Sequence, residues 1–180
     1  LLILKQPNLS TAALIGLTLW MVALASGIRW RSLLGTAIAG GALGTASILM
    51  NEYQRLRVVS FLDPWADPMG DGYQLVQSLL AIGSGGLTGQ GYGLSTQKLQ
   101  YLPIQSTDFI YAVFAEEFGF VGSLVLLLFL MLVAWVGLRV ALRCRCNQTR
   151  LVAIGCCTIL VGQSILNIAV ASGAMPTTGL

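Results

Sequence analysis

The sequence predicts an all-α polytopic membrane protein, with four full transmembrane helices and one large extracytoplasmic loop containing short helices. Three observations predict this class. Of 180 residues, 56% are apolar and only 9% are charged, whereas soluble domains carry about 25% charged residues. The apolar residues fall into uncharged runs long enough for a bilayer core, which takes about 20 residues of helix. Acids and arginines are also segregated along the chain: every acid lies between Glu52 and Glu117.

Charge gaps place the spans at about 9–28, 32–50, 109–138 and 151–172, the apolar part of the third running from Phe118 to Leu138. The loop between the second and third covers about 51–108. All 180 residues are taken as a single transmembrane domain. A further uncharged stretch, Gly72 to Gln97, is cut by seven glycines and four glutamines. Within it Leu75, Val76, Leu79, Leu80 and Ile82 sit at helical spacing, so Tyr73 to Ile82 is expected as a short amphipathic helix that cannot cross a bilayer.

With four spans, Arg29 and Arg31 share a side with Arg139, Arg143, Arg145 and Arg150, and no acid accompanies them. The positive-inside rule makes that side cytoplasmic and sends the loop outward. A fifth span over Gly72 to Gln97 would put the two arginine groups on opposite faces. The charge pattern therefore rejects it.

Several functions are disfavoured by composition. The ten Lys and Arg residues are scattered, which argues against nucleic-acid binding. There is no histidine, so the commonest general base and metal ligand is missing. Cys144 with Cys146, and Cys156 with Cys157, lack C-x-x-C spacing and read as small apolar residues in or beside spans. The chain begins at Leu1 without an initiator methionine and is read as an internal fragment of a longer protein.

A loop of this length is expected to carry function. It opens with Tyr53-Gln-Arg-Leu-Arg57, and two Asp-Pro steps at 63–64 and 67–68 with Gly70-Asp-Gly72 then predict an extended, folded-back path. Arg55 and Arg57 beside aromatic residues suit either anchoring at the membrane interface or recognition of a phosphate headgroup. The glycine-rich run 83–93 fits neither G-x-G-x-x-G nor a Gly-Lys-Ser/Thr loop. Its glycines instead permit tight turns, or close backbone approach to a ligand or helix. Asp108 stands at the mouth of the third span, placed to cap a helix or to take a proton from a sugar hydroxyl. Glu116 and Glu117 follow about two turns into that helix, where ionisable groups are usually functional or paired.

These residues form long motifs in order: Tyr-Gln-Arg-Leu-Arg, Phe-Leu-Asp-Pro-Trp-Ala-Asp-Pro, the glycine-rich run, Gln-Lys-Leu-Gln-Tyr-Leu-Pro at 97–103 and Thr-Asp-Phe-Ile at 107–110. The chain resembles the SEDS family, which includes FtsW, RodA and SpoVE, and is more similar to the FtsW and SpoVE branch. The resemblance covers essentially the whole chain. It implies a ten-span peptidoglycan glycosyltransferase of the bacterial plasma membrane, polymerising lipid II into β-1,4 glycan strands in septal cell-wall synthesis, this chain holding roughly the sixth to ninth spans.

The resemblance also assigns roles. It maps the essential loop aspartate onto Asp108 as general base on the acceptor 4-hydroxyl. It implies substrate binding by Arg55, Arg57, Gln97, Lys98 and Thr107, with Arg55, Arg57, Lys98 or a divalent cation (Mg²⁺ or Mn²⁺) neutralising the departing pyrophosphate. Its implied partners are a class B penicillin-binding transpeptidase and divisome membrane proteins. Two departures stand out: Ser106 replaces the usual histidine before Thr-Asp-Phe, which excludes a mechanism needing that imidazole, and Pro7-Asn8 replaces Pro-Asp. A lipid II flippase and a non-catalytic transpeptidase scaffold are the rival readings.

Overall fold

The structure, a computed structural model, describes residues 9–50, 52–70, 72–94 and 109–176. Among them the secondary structure is helical: α1 (Leu9–Ala25), α2 (Trp30–Met50), α3 (Glu52–Leu62), α4 (Tyr73–Gly85), α5 (Ile110–Arg143) and α6 (Asn147–Ala171). Three of these, α2, α5 and α6, are long and apolar enough to cross a membrane. Large apolar side chains such as Leu124, Val125, Leu128, Phe129 and Leu132 on α5 lie exposed. Exposure on this scale suits hydrocarbon, not water.

Helix α1 is shorter than the expected run to 28. It has 17 residues, roughly 25 Å at 1.5 Å per residue. It stops because Gly27 adopts φ +84°, and the Gly27 and Ile28 amides turn back onto the carbonyls of Leu24 and Ala23 at 3.2 and 3.4 Å. This is the Schellman pairing that a left-handed glycine permits. The same pairing closes α6 at Gly173, where Ala174 donates to the Ala169 carbonyl at 2.7 Å.

The chain divides into two compact units, Leu1–Glu52 with Phe129–Ser164, and Tyr53–Leu128 with Ile165–Leu180. In the first unit, glycines let helices approach. A Cβ at Gly162 would lie 3.0 Å from Leu14 Cδ1, one at Gly155 would lie 3.4 Å from Val22 Cγ2, and one at Gly137 would lie 2.6 Å from Cys157 Sγ. Small residues at such positions are how helices associate in lipid, where no hydrophobic drive separates them from the solvent. The Trp20 indole donates to the Leu33 carbonyl at 3.0 Å and joins α1 to α2.

In the second unit, α4 buries Leu75, Val76, Ser78, Ala81 and Gly85. Of these, Ala81 packs in a core with Phe109, Ala112, Val170 and Ala171, and Ile82 packs against it. The Ser78 hydroxyl, fully buried, donates to the Ala171 carbonyl at 2.7 Å. That bond ties α4 to the last turn of α6.

If the glycine contacts of α6 set its packing, Gly162→Leu in the full-length protein overfills the contact with Leu14 and costs about 1–3 kcal/mol. The expected reading is a lower thermal midpoint in detergent than wild type, with Leu132→Ile on the exposed face of α5 as control. An unchanged midpoint for Gly162→Leu contradicts the packing.

Candidate functional site

The expected site residues divide sharply. Gln97, Lys98, Thr107 and Asp108 lie outside the described residues, as do Asp71 and the whole segment 95–108. Arg55 is exposed and Arg57 half-buried, and both sit on α3. Residues 52–62 form a helix that the reading of the loop did not place, although short helices were expected within it. Glu52 stands in the first turn, where its charge suits the positive end of the helix dipole. No Gly or Pro interrupts the segment until Pro64, and the residue before a proline is pushed out of helical geometry.

The folded-back path begins after α3. The Asp67 carboxylate accepts the Gly70 amide at 3.0 Å, and the Asp67 carbonyl accepts the Gly72 amide at 3.2 Å. A Cβ at Gly72 would overlap the Pro64 carbonyl. The turn therefore closes tightly enough to start α4 at Tyr73.

The feature that sequence reasoning missed lies in α5. Gly119 has φ +64° and ψ −163°, which breaks the helix into Ile110–Phe118 and Phe120–Arg143. A continuous helix would pair the Phe120 amide with the Glu116 carbonyl and the Val121 amide with the Glu117 carbonyl. The glycine-rich loop supplies replacements for all four groups. Gln90 and Gly91 donate to the carbonyls of Glu116 and Glu117 at 3.0 and 3.1 Å, and Phe120 and Val121 donate to the carbonyls of Gly86 and Leu87 at 2.9 and 3.1 Å.

Only residues without side chains allow this fit. A Cβ at Gly85 would strike the Ala115 carbonyl, one at Gly89 the Glu117 carbonyl, and one at Gly119 the Gly89 amide. The expectation that these glycines serve tight turns and close approach to another helix holds here. The signal available in sequence was the pairing of two glycine clusters, one of them Gly119 directly after Glu116-Glu117-Phe118.

The break has two consequences for chemistry. Glu116 is fully buried and Glu117 nearly so, so the acids expected inside a continuous helix instead end its first segment. A cavity of about 290 Å³ opens beside the break, lined by Ile82, Gly86, Tyr111, Ala115, Gly119 and Ser123 among others. The Ser123 hydroxyl within it donates to the Gly119 carbonyl at 3.0 Å. Phe109, the residue that follows Asp108, is 2% exposed and heads the first segment of α5.

A divalent cation needs converging oxygen ligands. Among the described residues no three acids or cysteines converge to hold one. The described residues alone therefore do not fit a metal site.

Gly119→Ala in the full-length protein combines a backbone conformation essentially reserved for glycine, about 1–3 kcal/mol, with a clash against the loop backbone. The expected result is a protein that inserts but has a clearly lower thermal midpoint and faster proteolysis within 83–94. A Gly83→Ala control, where a Cβ meets nothing within 4 Å, is expected to match wild type.

Comparison with known proteins covers the whole chain. The family described as "Cell cycle protein" (FTSW_RODA_SPOVE) matches residues 1–180. The "Probable peptidoglycan glycosyltransferase FtsW" of Synechocystis sp. is 63% identical over 99% of this chain and 45% of its own length. "Peptidoglycan glycosyltransferase MrdB" of Escherichia coli is 43% identical over 100% of this chain and 50% of its own. "Stage V sporulation protein E" of Bacillus subtilis is 37% identical over 100% and 49%. A solved structure described as "Structural coordination of polymerization and crosslinking by a peptidoglycan synthase complex" superposes with a TM-score of 0.74 at 31% identity, covering 99% of this chain and 49% of that one. The chain thus spans about half the length of the curated relatives it matches. With a match unbroken from the first residue to the last, the chain belongs to the FtsW, RodA and SpoVE family of cell cycle proteins.

Proposed function

We propose that the protein is a peptidoglycan glycosyltransferase of the FtsW type that polymerises lipid II during septal cell-wall synthesis, this chain forming part of its membrane domain and its outer loop. The observation that carries the reading is 63% identity, over 99% of the chain, to a relative named as such an enzyme. The glycine loop's fit to the broken helix supports it by giving the outer segment a rigid seat, and buried, pre-organised backbone is what a site needs to hold reacting groups in place.

In the proposed reaction, Asp108 takes the proton from the 4-hydroxyl of the acceptor N-acetylglucosamine. The resulting oxygen attacks the anomeric carbon of the second substrate from the face opposite its α-linked pyrophosphate. The new C–O bond is β-1,4, the old C–O bond breaks, and undecaprenyl pyrophosphate leaves with the electron pair. Arg55, Arg57 and Lys98 offset the charge on that leaving group, while Gln97 and Thr107 hold the sugars. A class B penicillin-binding transpeptidase is the proposed partner. The likeness to a chain from a peptidoglycan synthase complex supports that pairing.

The proposed location is the bacterial inner membrane, with the loop at 51–108 outside and the arginine-bearing connections in the cytoplasm. Cys146 reports on that side. Its exposed thiol lies just before α6, where the amides of Thr149 and Gln148 hold its pKa below the usual thiol value. A lowered pKa means more thiolate at neutral pH, and thiolate is the reactive form. A membrane-impermeant maleimide is expected to label Cys146 from the cytoplasmic side only. Its alkylation should reach half its maximal rate below the pH of about 8.5 typical of free cysteine. Labelling from the outside overturns the orientation.

The catalytic assignment is tested by lipid II polymerisation with the full-length protein and its transpeptidase, with and without Mg²⁺ or Mn²⁺. Asp108→Asn is expected to lower glycan-strand formation by about 10²–10⁴-fold, the usual worth of a general base, while insertion and partner binding persist. Strands formed at the wild-type rate exclude Asp108 as the base and favour the flippase or scaffold reading.

A further inference from the structure

The two short connections of the first unit lie at one end of it. The Arg150 guanidinium, on the first turn of α6, donates from one Nη2 to the Ala25 carbonyl at 3.4 Å and to the Asn147 side-chain oxygen at 2.7 Å. Ala25 is the last residue of α1 and Asn147 the first of α6. The connection 26–29 is thereby pinned to the connection 144–146. Arg29 and Arg31 are brought to the same end as Arg139, Arg143, Arg145 and Arg150.

Among the described residues these arginines have no carboxylate partner, and the one acid of the unit, Glu52, lies beyond the far end of α2. No Asp or Glu occurs from Leu9 to Asn51 or from Phe118 to Leu180. Two helices, α2 and α6, also begin at this end, adding the positive poles of their dipoles. Six cations without a carboxylate partner among the described residues repel one another, and more strongly where water is thinned by lipid. The surface therefore calls for anions.

The kind of anion follows from the side chains. All six cations are arginine and none is lysine, so each offers the planar donor fork that matches phosphate oxygens. Arg139 lies 4.3 Å from the Trp135 ring centroid and Arg31 6.0 Å from that of Trp30. Both indoles are more than half exposed, and tryptophan favours the depth of lipid headgroups. Arg150 supplies an independent sign. Its Nε is buried and has no hydrogen-bond acceptor among the described residues, although its Nη2 is held by two protein oxygens. Membrane orientation by positive charge would require none of this, since lysine serves it equally.

We propose that this arginine end of the first unit is a binding surface for the phosphate headgroups of anionic phospholipids, with Arg150 as its fixed donor and Trp30 and Trp135 seated among the headgroups. Bound lipid would bridge the two connections and hold α1 against α6 from the membrane surface. This role is separate from the chemistry proposed for the outer loop.

The test uses the full-length protein in nanodiscs of phosphatidylcholine with and without phosphatidylglycerol. Lipid retained on release is counted by native mass spectrometry, alongside the thermal midpoint. Wild type is expected to retain phosphatidylglycerol over phosphatidylcholine and to gain thermal stability from it. Arg139→Gln/Arg143→Gln/Arg145→Gln, all at exposed positions, is expected to lower that preference at least fivefold while keeping the midpoint in pure phosphatidylcholine. Arg150→Gln is expected to lower it as well. An unchanged preference in the triple variant overturns the proposal, as does equal retention of both lipids by wild type. Equal stabilisation by millimolar inorganic phosphate also overturns it, because the surface would then bind free anions and not lipid.

Discussion

Away from water, every backbone amide and carbonyl must find its partner within the protein, and the break at Gly119 is where this constraint decides most of the structure. Opening a helix in lipid frees two amides and two carbonyls, each costing several kcal/mol if left unpaired. The loop from Gly86 to Gly91 answers all four with four bonds of its own. That solution then dictates composition. The loop backbone can come this close only where Gly85, Gly89 and Gly119 present no side chain. Helix α4 must end where it does so that the loop arrives in register.

The remaining contacts of the second unit serve that seat. Phe109, Ala112 and Ala81 pack with Val170 and Ala171, and Ser78 locks α4 to the end of α6. The amphipathic character of α4 is thus spent on protein, not on the membrane surface. The first unit meets a different demand. Its helices cannot rely on hydrophobic association, so they approach through Gly155, Gly162 and Gly137. Its polar end is held by one arginine that reaches a helix-end carbonyl.

Much of the architecture was legible in the sequence, and the misses share a cause. Helix α4 followed from the spacing of Leu75, Val76 and Leu79, and it runs three residues past the expected Ile82 to Gly85. The apolar runs foretold α2, α5 and α6, because hydrophobic length is a property of the chain alone. Helix α3 was missed because residues 52–62 have little apolar periodicity and sit beside strong turn formers, which dominated the reading. The break in α5 was missed because a glycine inside an apolar run normally remains helical. What makes Gly119 different is the loop at 86–91, well before it in the chain. Of the candidate site, Arg55 and Arg57 are placed on α3, while Gln97, Lys98, Thr107 and Asp108 lie outside the described residues.

The membrane class, the approximate runs and the family are readable from residue order alone, since hydrophobic length, charge placement and ordered motifs are written along the chain. That α5 is two helices, that the glycine loop completes the break, and that Arg150 gathers two connections at one end emerge once the chain is folded. Those outcomes depend on groups far apart in sequence meeting within 3.5 Å, backbone with backbone at the break and a guanidinium with a carbonyl at Arg150. Hydrogen bonds of the backbone carry no mark in residue type, except for the glycines that make room for them.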